Sequence, residues 1–193
     1  MGSLPSPATS AARQRILDTS YELFSRHGIS SVGIDRIIAE ADVAKATLYH
    51  HFASKEDLAL AFLELREQRW TREWLQAEVE RLADAPGERA LRIFDVLDEW
   101  FHRPGYEGCS FVNTLLEYHD RADPVHQAAG RCLAVVRELV EGYAEDAGAA
   151  DPAETAAQLQ ILMIGAIVSA RYGDREAARR ARRVASLLLD ASR

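Results

Sequence analysis

Nowhere in these 193 residues does an apolar residue alternate with a polar one over a Val/Ile/Thr-rich run, the pattern a half-buried strand needs. Apolar positions recur instead at helical spacing, and turn-forming residues punctuate them. Ala12, Ile16, Ser20, Leu23 and Phe24 share one face of a first helix over about 10–27, and Gly28 follows as its stop. Ile34, Ile37, Ile38 and Ala41 mark a short helix at 34–41, Asp42 occupies a tight turn, and a second short helix covers about 44–51. Ser54 opens a long helix with the Ser-x-x-Asp form of a capping box, and that helix runs to about Ala83. Further helices are expected at about 88–102, 108–120, 124–147, 152–172 and 175–191, separated by turn-like stretches such as "HRPGYE", "RADP" and "AGAADP". The chain is therefore expected to be all-α, with about nine helices.

Composition narrows the class. Hydrophobic residues make up 48% and charged residues 27%, the balance of an ordinary globular protein. Cys109 and Cys132 are too few for a disulfide framework and fit a reducing compartment. The first nine residues read as a disordered leader without an apolar signal core. The longest apolar run, Leu159 to Ala170, is too short to span a bilayer. A cytoplasmic protein without a membrane partner is the expectation. No Ser/His/Asp, Cys/His or phosphate-loop pattern stands out, so an enzyme is not expected, nor a cofactor. A metal site is not expected either, because adjacent His50 and His51 point about 100° apart on a helix.

The net charge of −7 argues against a wholesale nucleic-acid coat but not against local contact. Over residues 1–58 six cations stand against seven carboxylates, so a DNA-binding face must come from placement. Both lysines of the chain, Lys45 and Lys55, lie within "DVAKATLYHHFASKEDL". Two short helices joined by a tight turn make a helix-turn-helix, whose second helix enters a major groove only if its outer face is small and polar. Val43, Leu48 and Phe52 can anchor that helix, leaving Lys45, Ala46, Thr47, Tyr49 and His50 outward. Lysine neutralises phosphate, and hydroxyls donate to phosphate oxygens. Lys55 adds a cation on the first turn of the next helix, where backbone amides also attract anions.

The stretches "LFSRHG", "IIAEADV", "AKATLYHHF" and "SKEDL" resemble, at matching spacing, the N-terminal signature of the TetR family of bacterial transcriptional regulators. The resemblance implies Lys45, Thr47, Tyr49, His50 and Lys55 as DNA contacts, with Gly33 close to the backbone and the Ala46 methyl group near the groove. It implies a three-helix DNA-binding domain over 10–55 and a larger helical bundle over 56–193 for ligand binding and dimerisation. The chain departs from the signature at Asp42, Ala44, Ala46 and Gly33, where the family has a turn Gly, a capping Ser, a Gly and a Thr. "GCSFVNTLLE" resembles one subgroup of the family without naming an effector.

In the remainder, aromatic and polar residues mark a candidate pocket: Trp70, Trp74, Trp100, Phe101, Tyr106, Cys109, Phe111, Asn113, Glu117, Tyr118 and His119. The helix at 152–172 is apolar on nearly every side, so a second subunit is expected to cover Leu159, Met163, Ala166 and Ala170. Ala181, Ala185 and Leu188 of the last helix join that expected interface. The expected function is a homodimeric regulator, a repressor of a palindromic operator released by a small-molecule effector. The alternative is a helical adaptor or ligand-binding protein that has lost operator binding.

Overall fold

A computed structural model describes residues 7–192, and the described part is helical throughout, without strands. Its elements are α1 (Pro7–His27), α2 (Ile34–Ala41), α3 (Lys45–His51), α4 (Lys55–Arg66), a π-helical stretch (Glu67–Gln76), α5 (Ala77–Leu82) and a 3-10 turn (Pro86–Glu88). They continue with α6 (Arg89–Phe101), α7 (Ser110–Glu117), α8 (Pro124–Asp146), α9 (Pro152–Arg171) and α10 (Ala177–Ala191). The leader expected over 1–9 lies outside the described residues for 1–6, and α1 already begins at Pro7.

The chain divides into two compact units. Unit 1 joins the residues up to Arg66 with Ser110–Gly130, and unit 2 joins Glu67–Cys109 with Arg131–Arg193.

In unit 1, α1 packs against α2, α3 and α4. Ile16, Leu23 and Phe24 of α1 bury beside Ile37 of α2, Leu48 of α3 and Leu58, Phe62 and Leu63 of α4. Phe62 meets Phe24 and Tyr21 edge-on, with ring centroids 5.4 and 5.7 Å apart. Each such side chain removed from water stabilises the fold by roughly 1.5–3 kcal/mol. Gly28, at φ +80°, turns the chain out of α1 in a conformation that L side chains resist.

The π-helical stretch was not foreseen from the sequence. There, Gln68 donates to Glu73 at 2.9 Å and Arg72 pairs with Glu67 at 3.0 Å. Both pairs span five residues, the spacing that a π-helix aligns.

In unit 2, α6 packs on α5, α9 and α10, and α9 packs on α10. Ile93, Phe94 and Leu97 of α6, Leu159 and Met163 of α9, and Ala178 and Ala185 of α10 form its core. Buried Gln160 is satisfied at both ends: it donates to the Leu133 carbonyl at 2.7 Å and accepts from Arg137 at 2.8 Å. The Arg-rich start of α10 is neutralised by carboxylates, Arg179 by Asp98 and Glu176 and Arg182 by Asp95. By length and composition α9 is apolar enough to cross a membrane, though its apolar character is also that of a core helix packed on α6 and α10.

Candidate nucleic-acid interface

α3 is seven residues long and cannot hold itself together in water, so its one buried residue, Leu48, has to fasten it. Phe52, at its C-terminal boundary, buries as well, with the Arg13 guanidinium 5.0 Å from its ring centroid. Ahead of α3, Asp42 adopts the left-handed conformation (φ 50°, ψ 57°), and its N–H closes α2 onto the Ile38 carbonyl. The turn is thereby sharp enough to place α3 directly after α2. Ala44 caps α3 with no side-chain hydrogen bond, and Gly33 does the same for α2. Ser54 accepts the Asp57 N–H at 3.0 Å and so caps α4.

With Leu48 inward, Lys45, Ala46, Tyr49 and His50 are exposed, Thr47 and Lys55 are half-buried, and Gly33 is exposed at the start of α2. All of them lie in unit 1. The face is not purely cationic. Lys45 Nζ lies 3.3 Å from the Asp35 carboxylate of α2, and Arg36 pairs with Glu40 at 2.8 Å and meets His27 Nε2 at 3.3 Å. Asp35 and Arg36 were missed in the sequence reading, although their place in the first turn of α2, beside Gly33, was legible. His51 stacks edge-on against His50 at 5.1 Å. Its imidazole is held below the usual range by partial burial and then by the neighbouring His50 and Arg13 charges.

The pocket residues expected from the sequence separate into two groups. In unit 2 the rings of Trp70, Trp74 and Trp100 lie 5.2–5.9 Å apart in a triangle. Tyr106 meets Trp100 edge-on at 4.9 Å and Phe101 at 5.1 Å, and its hydroxyl donates to the Ile167 carbonyl at 2.7 Å. Burial pushes the Tyr106 phenol well above its ordinary value. Arg103 lies over the Trp74 ring at 5.1 Å, and the buried indole N–H groups of Trp70 and Trp74 meet no acceptor among the described residues. Cys109 is buried in the same unit. Phe111, Asn113, Glu117, Tyr118 and His119 belong to unit 1. Phe111 is buried, Asn113 and His119 are exposed, and the Glu117 carboxylate is engaged by the Ser30 N–H at 2.8 Å. Among the described residues no group of three His, Cys, Asp or Glu is placed to hold a metal ion.

Of the positions expected at a subunit interface, Leu159, Met163, Ala166, Ala181 and Ala185 are buried within the chain itself, and Ala170 and Leu188 are half-buried. The large apolar residues that face water on these helices and at the C-cap of α9 are Ile161 (69% exposed), Val168, Tyr172 (76%), Val184 and Leu187 (72%). With exposed Gly165 between them, Ile161, Val168 and Tyr172 follow one face of α9 and its cap, and Val184 and Leu187 one face of α10.

Residues 16–62 match the family described as bacterial regulatory proteins, tetR family, and residues 86–185 match the tetracyclin repressor-like C-terminal domain. The chain is 32% identical over 130 residues to the HTH-type transcriptional regulator UidR of Escherichia coli, covering 67% of this chain and 51% of that protein. It thus spans about half the length of that relative. Against the HTH-type transcriptional repressor NemR of Escherichia coli it is 25% identical over 170 residues, 82% of this chain and 83% of NemR. The crystal structure of a TetR-family transcriptional regulator from Streptomyces coelicolor superposes with a TM-score of 0.84 at 33% identity, over 95% of this chain and 96% of that one.

Proposed function

The chain belongs to the TetR family of bacterial transcriptional regulators, and from that premise we propose that it is a homodimeric, sequence-specific repressor released by a small molecule. The observation that carries the DNA-binding reading is the outer face of α3. Around the buried Leu48 it offers one ammonium, two hydroxyls, an imidazole and a methyl group, with no bulky aliphatic side chain to bar a groove. Lys45 and Lys55 would meet phosphates, Thr47 and Tyr49 would donate to phosphate oxygens, and Ala46, His50 and Gly33 would approach the backbone and base edges. The operator would lie in the bacterial cytoplasm.

A second copy of the chain would cover the Ile161, Val168 and Tyr172 stripe together with Val184 and Leu187. Five large apolar side chains left in water on two neighbouring helices support that reading. The dimer would present two α3 helices to half-sites about 34–36 Å apart, hence a palindromic operator. An effector would act by favouring a dimer of different spacing, and only to the extent that it binds the two states unequally. The Trp70, Trp74 and Trp100 triangle is the best candidate for feeling such a molecule, because two indole N–H donors there await an acceptor.

The decisive experiment is selection of bound duplexes from a random DNA library at moderate salt with nonspecific competitor. Enrichment of a palindrome that is lost in a Lys45→Ala, Tyr49→Ala double variant supports the reading. No enrichment, or a double variant that binds as wild type, overturns it in favour of a protein that keeps the fold without reading DNA.

A further inference from the structure

Ser30 sits in the loop between α1 and α2, and side chains from two distant parts of unit 1 converge on it. Its N–H donates to Glu117 Oε2 at 2.8 Å, and its carbonyl accepts from Lys55 Nζ at 3.3 Å. The two residues that flank this loop internally, Ile29 and Val32, are buried. The loop is therefore pinned by its apolar residues below and by Glu117 above.

The Glu117 carboxylate also lies against Gly28, whose lack of a side chain leaves room for it. A Cβ at Gly28 would collide with Glu117 Oε1, and φ +80° already disfavours any other residue there. Glu117 in turn ends α7, and the chain just beyond it is held by His126, whose Nδ1 lies 2.6 Å from the Tyr118 carbonyl. The α7 segment falls within the residues matched to the family's C-terminal domain, yet 110–130 forms one compact unit with the described residues up to Arg66. The chain itself joins this segment to unit 2 at Cys109 and at Arg131.

We propose that Glu117 is a positioning residue for DNA binding: through the Ser30 amide it fixes the loop that launches α2 and the Lys55 ammonium that rests on the same residue. The proposal rests on the DNA-binding reading above and adds the element outside the helix-turn-helix that orients it. Glu117 touches no DNA; a carboxylate facing phosphate would only repel it. Its action runs from α7 through the residue 30 peptide to α2 on one side and to the first turn of α4 on the other. A carboxylate accepting a backbone N–H is among the stronger hydrogen bonds, although solvent near Ser30 weakens it here.

The test compares wild type, Glu117→Gln and Glu117→Ala on a duplex enriched from the random library, by fluorescence anisotropy at several salt concentrations. Thermal melts and amide hydrogen exchange over residues 28–34 accompany the binding. Gln keeps an acceptor oxygen for the Ser30 N–H and Ala does not. Binding by E117A is expected to weaken about fivefold, with a salt slope no steeper than that of wild type because the Lys55 ammonium is less firmly placed. E117Q should stay within about twofold of wild type, and Ser30 exchange should quicken in E117A. Equal affinity for E117A and wild type overturns the proposal, as does a lowered melting temperature without any change in affinity. Equal tightening in both variants also overturns it, because Glu117 would then act only as a repelling charge. Failure of wild type itself to enrich any duplex would sink the DNA-binding reading, and is distinguished from the above because it appears before any variant is made.

Discussion

Asp35→Asn should tighten DNA binding. Its carboxylate lies 3.3 Å from Lys45 Nζ, with the two side chains 86% and 63% exposed. At that distance two unit charges in bulk water attract by roughly 1 kcal/mol. Side-chain ordering and salt reduce such exposed pairs to about 0.2–1 kcal/mol. Lys45 must give up that attraction to neutralise a phosphate, and Asp35 itself then sits within a Debye length of the DNA backbone, which adds a few tenths of a kcal/mol of repulsion. Together these terms oppose binding by about 0.5–1.5 kcal/mol, so D35N should bind about two- to tenfold more tightly at low salt. The salt dependence distinguishes this from a change in base contacts. Freeing Lys45 should steepen the slope of log affinity against log salt and Lys45→Ala should flatten it, the two changes together amounting to about 0.9. Anisotropy titrations from 50 to 200 mM salt, on about a fourfold range, measure both. Weaker binding by D35N, with an altered preferred sequence, would refute the reasoning, because Asp35 would then be reading a base and not restraining Lys45.

Other outcomes follow from the same geometry. Ala44→Ser supplies the missing cap of α3, whose backbone (φ −72°, ψ 149°) already suits it, and should raise stability by about 1 kcal/mol in thermal melts. Because His51 is held below its ordinary value, the unfolded chain takes up that proton at higher pH than the folded chain does. The stability this contributes is complete above the unfolded value of about 6.5 and declines as pH falls toward the lower folded value. His51→Gln should flatten that part of the decline in melts run across this range. Leu187→Glu should convert a dimer to a monomer in sedimentation and abolish cooperative operator binding while leaving the helical signal intact. Leu189→Ala, two residues on and 5% exposed, should instead cost about 2–5 kcal/mol of folding stability.

Local chemistry explains why so much of unit 1 was legible. Gly28 and Asp42 stand where the backbone turns left-handed, Ser54 stands where α4 needs an acceptor, and Leu48 and Phe52 are four apart where α3 needs anchors. Each requirement is met within a few residues of where it arises, so neighbouring letters reveal it. The π-helical stretch at Glu67–Gln76 has no comparable signal: its five-residue pairs, Gln68 with Glu73 and Arg72 with Glu67, use residue types equally at home in an α-helix. Glu117 escaped for a different reason. Its partner Ser30 is 87 residues away, and a lone Glu beside aromatic residues has the look of a pocket residue.

The apolar helices α9 and α10 show where periodicity stops being informative. Leu159, Met163, Ala166 and Ala170 recur at helical spacing, and so do Ile161, Gly165, Val168 and Tyr172 two positions on, roughly 200° around the same helix. Nothing in the spacing ranks one stripe above the other. The structure separates them because α10 and α6 pack on α9 and bury the first stripe within unit 2, leaving the second in water. On α10 the same division falls between Ala181, Ala185 and Leu189, which are buried, and Val184 and Leu187, which are not. Ala181 and Ala185 line the inner stripe of α10 where two helices of one chain approach closely, while the larger Leu187 occupies the outer one. A helix that is apolar all round therefore carries two stripes, one taken by its own core and one left in water. In the proposed dimer a partner would cover the second, where bulky apolar residues remain after the core has taken its share.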